Sequence, residues 1–233
     1  MKALHVLPSS GFSQEVLAAD VAFLPRTNIE VLNASLATAL KSLRAHPLSS
    51  ATRLAAARLA HSFGFDVSRF CVFTDGFFGS AAGLLSQGCV VLTDTRSLRS
   101  MTFWLNYKLS VICIADLLKV KSWARDSFCT KSCLLADALS QLTLAFKAKN
   151  IILVSGTSPT NTIRLLELAA AASLCVRFVI ACGVGVANSI PAKRKLVDGT
   201  SKLQLCVTRG KIGGVAFAAA LLNSLANINC VLI

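Results

Sequence analysis

Short β-branched runs recur along this chain, each followed by a stretch with apolar residues at helical spacing, and this alternation constrains the fold more than any other feature. Strand-like runs fall near 70–73, 89–93, 110–114, 151–154, 177–181 and 204–207. Helical stretches fall at about 29–45, 49–62, 75–86, 116–127, 132–147, 159–173, 191–197 and 213–226. Strands that alternate with helices build a mainly parallel sheet covered on both faces, so the expected fold is a single three-layer α/β/α domain. Ser49 or Ser50 is placed to cap the second helix, where Leu54, Ala57 and Ala60 share a face. No repeat, low-complexity tract or linker divides the chain. Residues 29–233 read as the domain and 1–28 as an N-terminal extension.

The stretch "IILVSGTSPTNTIRLLEL", residues 151–168, shows how such a sheet presents a site. Its apolar run feeds a Gly/Ser/Thr/Pro turn, and Pro159 stands where a helix can begin without losing a needed N–H. In open α/β sheets ligands bind at the carboxyl ends of the strands, where helix N-termini offer free N–H groups to anions. The turn lacks the second Gly and the Lys of a Walker loop, and Gly156 alone does not make a dinucleotide fingerprint. The other turns on that edge are "VVLTDTRS" with Asp94, "IACGVGVANSIPAK" with Gly183, Gly185 and Lys193, and "CVTRGKIGGVAF" with Arg209, Lys211, Gly213 and Gly214. Thr130, Lys131 and Ser132 stand at the expected start of a further helix. Glycine backbone, helix N-termini and cations gathered on one edge suit a ligand bearing carboxylates.

Composition narrows the class. Apolar residues make up 54% of the chain, yet the longest apolar stretches are interrupted by Glu167, Arg177, Asn188, Asn223 and Asn227, so no membrane span is expected. The N-terminal stretch lacks the order of a secretory signal, which points to the cytoplasm. Nine scattered cysteines, most inside apolar runs, read as reduced core thiols. With three histidines and no Cys-x-x-Cys, no metal site is expected. The net charge of +13 implies an acidic partner. Its basic residues are dispersed, and no nucleic-acid-binding motif appears, so a polyanionic small molecule accounts for the charge as well as nucleic acid does.

"GTSPTNTIRLLEL", "GVGVANSIPAK" and "RGKIGGVAFAAALLNSLA" stand in the order and spacing of the precorrin-8X methylmutase family, which the chain resembles over about residues 29–228. "CTKS", "VVLTDT" and "ARLAHSFG" extend the resemblance upstream to Ser35. It implies a homodimeric enzyme of cobalamin biosynthesis that moves a methyl group from C11 to C12 of a corrin precursor, giving hydrogenobyrinate, or cobyrinate when cobalt is already present. It also implies hand-over to the next enzyme of the pathway. Such an isomerisation is redox-neutral and calls for no cofactor. The family's proton-donating histidine aligns with His61, and imidazole can hold or release a proton near neutral pH. The implied substrate-binding set is Ser35, Asp94, Thr130, Lys131, Ser132, Gly156, Thr157, Pro159, Thr160, Gly185, Lys193, Arg209, Lys211, Gly213 and Gly214. The chain departs from the pattern at several points. Lys131 replaces an Arg, Thr157-Ser158 an Asn-Ala pair, Gly183 a Pro, Pro191-Ala192 a Glu-Ser pair and Val215 a Ser, which marks a divergent member. Two rival functions are a corrinoid carrier without catalysis and a basic nucleic-acid-binding protein on a reused scaffold.

Overall fold

Six of the β-branched runs pair into one sheet in a computed structural model of the chain, in the order β1-β6-β5-β4-β2-β3. The structure describes residues 28–43, 50–64, 66, 68–102, 110–117, 151–157, 159, 163, 176, 178–185, 188–199 and 203–226. The strands are β1 (Cys71–Phe73), β2 (Val90–Thr93), β3 (Ser110–Cys113), β4 (Ile151–Ser155), β5 (Phe178–Ala181) and β6 (Gln204–Thr208). The helices are α1 (Asn28–Ser42), α2 (Ser50–Phe63), α3 (Phe77–Gln87), α4 (Arg96–Met101), α5 (Ile114–Leu117), α6 (Ser189–Gly199) and α7 (Val215–Ala226).

The central strands are apolar on both faces because helices cover both. Val91, Ile152, Val154, Ile180 and Cys206 face one side, where α3 and α7 bring Phe77, Phe78, Leu221 and Leu222 against them and α2 adds Leu59 to the same core. The alternate residues Leu92, Ile151, Leu153, Val179, Leu205 and Val207 face the other side, with Leu196 of α6, Ile114 and Val176. The three-layer expectation therefore holds.

One strand departs from the parallel pattern. β1 runs antiparallel to β6, pairing Cys71 with Thr208 and Phe73 with Cys206. The preceding helix α2 ends beside the start of α7, where Phe63 stacks on Phe217 at 5.1 Å. The chain thus enters β1 from the carboxyl edge of the sheet and has to run back against its neighbour. Thr74 closes that strand, accepting from the Leu205 N–H at 3.0 Å and donating to Gln204 Oε1 at 2.8 Å.

Other differences lie at element ends. The helix expected from 75 begins at Phe77, because Gly76 has φ 71° and the Phe77 N–H closes a turn onto Thr74. The helix expected from 213 begins at Val215, since Gly213 and Gly214 have φ 147° and 103°. Helix α4 was not legible in the sequence; six residues are too few to show a period, and Thr95 caps it by accepting from the Leu98 N–H at 3.2 Å. Most of the stretches expected as helices at 116–127, 132–147 and 159–173, and the extension before residue 28, lie outside the described residues. Cys71, Cys89, Cys113, Cys182 and Cys206 are buried thiols, and burial pushes Cys89 up to about 11.

Candidate active site

The parallel strands β2, β4, β5 and β6 end on one edge, and a single carboxylate organises the turns there. Asp94 directly follows β2 and is 2% exposed. Its Oδ2 accepts from the Gly156 N–H at 2.9 Å, the Thr157 N–H at 3.0 Å, the Thr157 hydroxyl at 2.8 Å and the Ser155 hydroxyl at 3.2 Å. Four donors on one oxygen fix the turn after β4 in one conformation. The second oxygen, Oδ1, is buried without a hydrogen-bond partner. Asp94 thus shapes the edge from beneath.

The neighbouring turns are stitched to this one. The Cys182 N–H donates to Ser155 O at 2.7 Å, and the Gly214 N–H donates to Cys182 O at 2.7 Å. Gly213 lies so close that a Cβ there would sit 2.1 Å from Cys182 O, a separation no side chain can take. Gly156 packs on the start of α7, where a Cβ would meet Val215 Cα at 3.0 Å. Lys193 is 3% exposed, and its Nζ donates to Thr208 Oγ1 at 3.1 Å and Ile212 O at 3.0 Å. Burial lowers its pKa. Lys193 therefore braces the 209–214 turn from inside, while Arg209 and Lys211 remain exposed on it, beside the exposed Val184 and Ile212.

His61 occupies the last turn of α2, exposed, with Nδ1 2.7 Å from Ser35 Oγ on α1. It stands between two hollows. One, of about 540 Å³, runs along α7 and is lined by Leu36, His61, Met101, Ala216, Ala220 and Asn223. The other, of about 640 Å³, lies on the α1 side and is lined by Ser35, Thr38, His61, Asp66 and Arg69. The α7 groove begins at Ala216, next to the residues that pack on Gly156, so the groove that His61 lines opens beside the turn network. A third hollow of about 340 Å³, between α6 and the β1–β6 edge, shares Lys193 and Arg209 with the turns but not His61.

Of the residues expected from sequence, the structure brings Asp94, Gly156, Thr157, Lys193, Gly213 and Gly214 into one network and pairs Ser35 with His61. Pro159 is helical, Gly185 is exposed with φ 150°, and Thr130, Lys131, Ser132 and Thr160 lie outside the described residues. Sequence reasoning missed the groove wall. Ala216, Ala220 and Asn223 form one stripe of α7, and Asn223 Nδ2 donates to Met101 O at 2.9 Å, tying that wall to α4. The i, i+4, i+7 spacing in "AFAAALLN" carried that signal.

Fold and site together define a three-layer α/β protein with an imidazole on an open groove along α7. The precorrin-8X methylmutase family model matches residues 30–228, and the chain belongs to that family, the isomerases of cobalamin biosynthesis. A precorrin-8X methylmutase from a Sinorhizobium species is 25% identical over 174 residues, 73% of this chain and 80% of its own. Among solved structures, a precorrin-8X methylmutase related protein superposes with a TM-score of 0.67 at 22% identity, covering 83% of this chain and 99% of its own. The precorrin-8x methyl mutase from Thermus thermophilus superposes with a TM-score of 0.68 at 19% identity, covering 84% and 96%. Those two likenesses establish the fold.

Proposed function

We propose that this chain moves the C11 methyl of precorrin-8X, or of its cobalt form, to C12, and that the reaction takes place in the α7 groove with His61 as proton donor. The observation that carries this reading is the placement of His61: a held imidazole on a groove whose α7 wall is alanine, asparagine and serine, small enough to admit the face of a flat macrocycle. The turns at the head of α7 add Arg209 and Lys211 for peripheral carboxylates. Thr130, Lys131, Ser132 and Thr160 join the substrate-binding set on the strength of their motifs. Asp94 and Lys193 serve it as positioning residues, through the turns they hold.

A proton from His61 to a ring nitrogen or its neighbourhood makes the conjugated system electron-poor, which lowers the barrier to methyl migration. The proton returns once the methyl has moved, so the sum is an isomerisation. The protein works as a cytoplasmic homodimer and passes its product to the next enzyme of the pathway.

The test is His61→Asn. Hydrogenobyrinate affinity and melting temperature stay near the unmodified values, while the single-turnover rate falls by about 10²-fold or more. Near-normal single-turnover chemistry in well-folded His61→Asn protein removes His61 from the mechanism.

A further inference from the structure

Ser35 stands 2.7 Å from Nδ1 of His61, across the seam between α1 and α2. The two residues line the α1-side hollow together, whereas the α7 groove is lined by His61 and not by Ser35. The ring therefore has one nitrogen engaged on the side away from the groove, and its other nitrogen is the one left to serve the groove. A hydroxyl can accept a hydrogen bond from a protonated Nδ1, and an imidazolium that gives up its Nε2 proton keeps the one on Nδ1.

We infer that Ser35 is a positioning residue for the proton donor and not a substrate contact: its Oγ accepts from Nδ1–H and so makes Nε2 the atom that delivers and recovers the proton. This rests on the reading of His61 given above. The Nε2–H bond breaks, its electron pair stays on Nε2, and the proton goes to the substrate; Nδ1–H remains bonded to Ser35 Oγ throughout. After migration the same Nε2 lone pair takes the proton back. The neutral ring in between is the Nδ1–H tautomer, which a free histidine side chain in water adopts less than the Nε2–H form. Without the Ser35 oxygen, that tautomer loses its partner and the ring is free to turn about its side-chain bonds.

Nitrogen-15 spectra of the imidazole, assigned with His61→Asn, read the tautomer without any turnover. At a pH where His61 is neutral, the unmodified protein is expected to show mainly Nδ1–H, and Ser35→Ala mainly Nε2–H. Ser35→Ala is further expected to keep its affinity for hydrogenobyrinate while its single-turnover rate falls about three- to tenfold, the worth of one hydrogen bond. Ser35→Thr, which keeps the hydroxyl, restores tautomer and rate.

A neutral ring in the Nε2–H form in the unmodified protein overturns the inference, as does a tautomer that Ser35→Ala leaves unchanged. Weaker binding at unchanged rate overturns it too, and makes Ser35 a substrate contact. A tautomer change with no loss of rate also overturns it. Normal turnover by His61→Asn then shows that the His61 reading has failed; collapsed turnover shows that the failure is confined to Ser35.

Discussion

At the scale of single residues, the candidate site is a set of side chains whose partners were fixed by folding, and two of them have tasks their position in sequence did not disclose. Asp94 reads in sequence only as a member of an edge turn and of the implied substrate-binding set, yet it is buried with four donors on one oxygen and none on the other. That asymmetry yields a prediction. Asp94→Asn can present its carbonyl oxygen to the same four donors, so it is expected to cost about 1 kcal/mol, whereas Asp94→Ala leaves buried donors unpaired and costs about 3 kcal/mol or more. Urea unfolding of the two variants checks the order; equal losses would mean the carboxylate does not hold the turn. Lys193 is a similar case. Burial lowers its folded pKa below the unfolded value, so between those two values the unfolded state binds more protons and stability rises with pH. Stability measured from neutral pH towards about 10 is expected to rise more steeply in the unmodified protein than in Lys193→Met; parallel curves would contradict this.

The elements show why some of the structure was legible and some was not. β2, β4, β5 and β6 announce themselves as apolar runs because both of their faces are buried, α7 because its apolar stripe faces the sheet, and α2 because its own packs between α1 and α7. The direction of β1 is not written in its three residues; it follows from where α2 delivers the chain. The cap of α4 and the shift of the α7 start were set by local hydrogen bonding and by glycine backbone at the 209–214 turn, which hydrophobic periodicity does not register. The histidine was named through its motif, but the pairing with a serine on another helix, 26 positions away, could be recognised only in three dimensions. At this scale Gly213→Ala is the sharpest perturbation. Its Cβ would lie 2.1 Å from the Cys182 carbonyl oxygen, so the turn has to move and the Gly214 N–H to Cys182 O bond goes with it. A loss of about 3 kcal/mol or more is expected in thermal unfolding, with reduced corrinoid affinity in the folded fraction. An unperturbed melting temperature would show that the turns are not packed as described.

For the whole molecule, a chain with 54% hydrophobic residues and a net charge of +13 combines an apolar excess with a surface suited to a polyanion. Met101, Val184 and Ile212 are exposed around the groove and the turns, where the proposed subunit contact would cover them. Sedimentation at micromolar concentration is expected to show a dimer, and a monomer alone would count against that assembly. On the proposed reading this fold turns a corrin precursor over at the groove beside His61. The absorbance spectrum of purified protein incubated with precorrin-8X, and separately with its cobalt form, shows whether it does. Conversion of one of them to the spectrum of hydrogenobyrinate or cobyrinate is the predicted result; unchanged spectra from folded protein that still binds hydrogenobyrinate would contradict it and make the chain a corrinoid carrier.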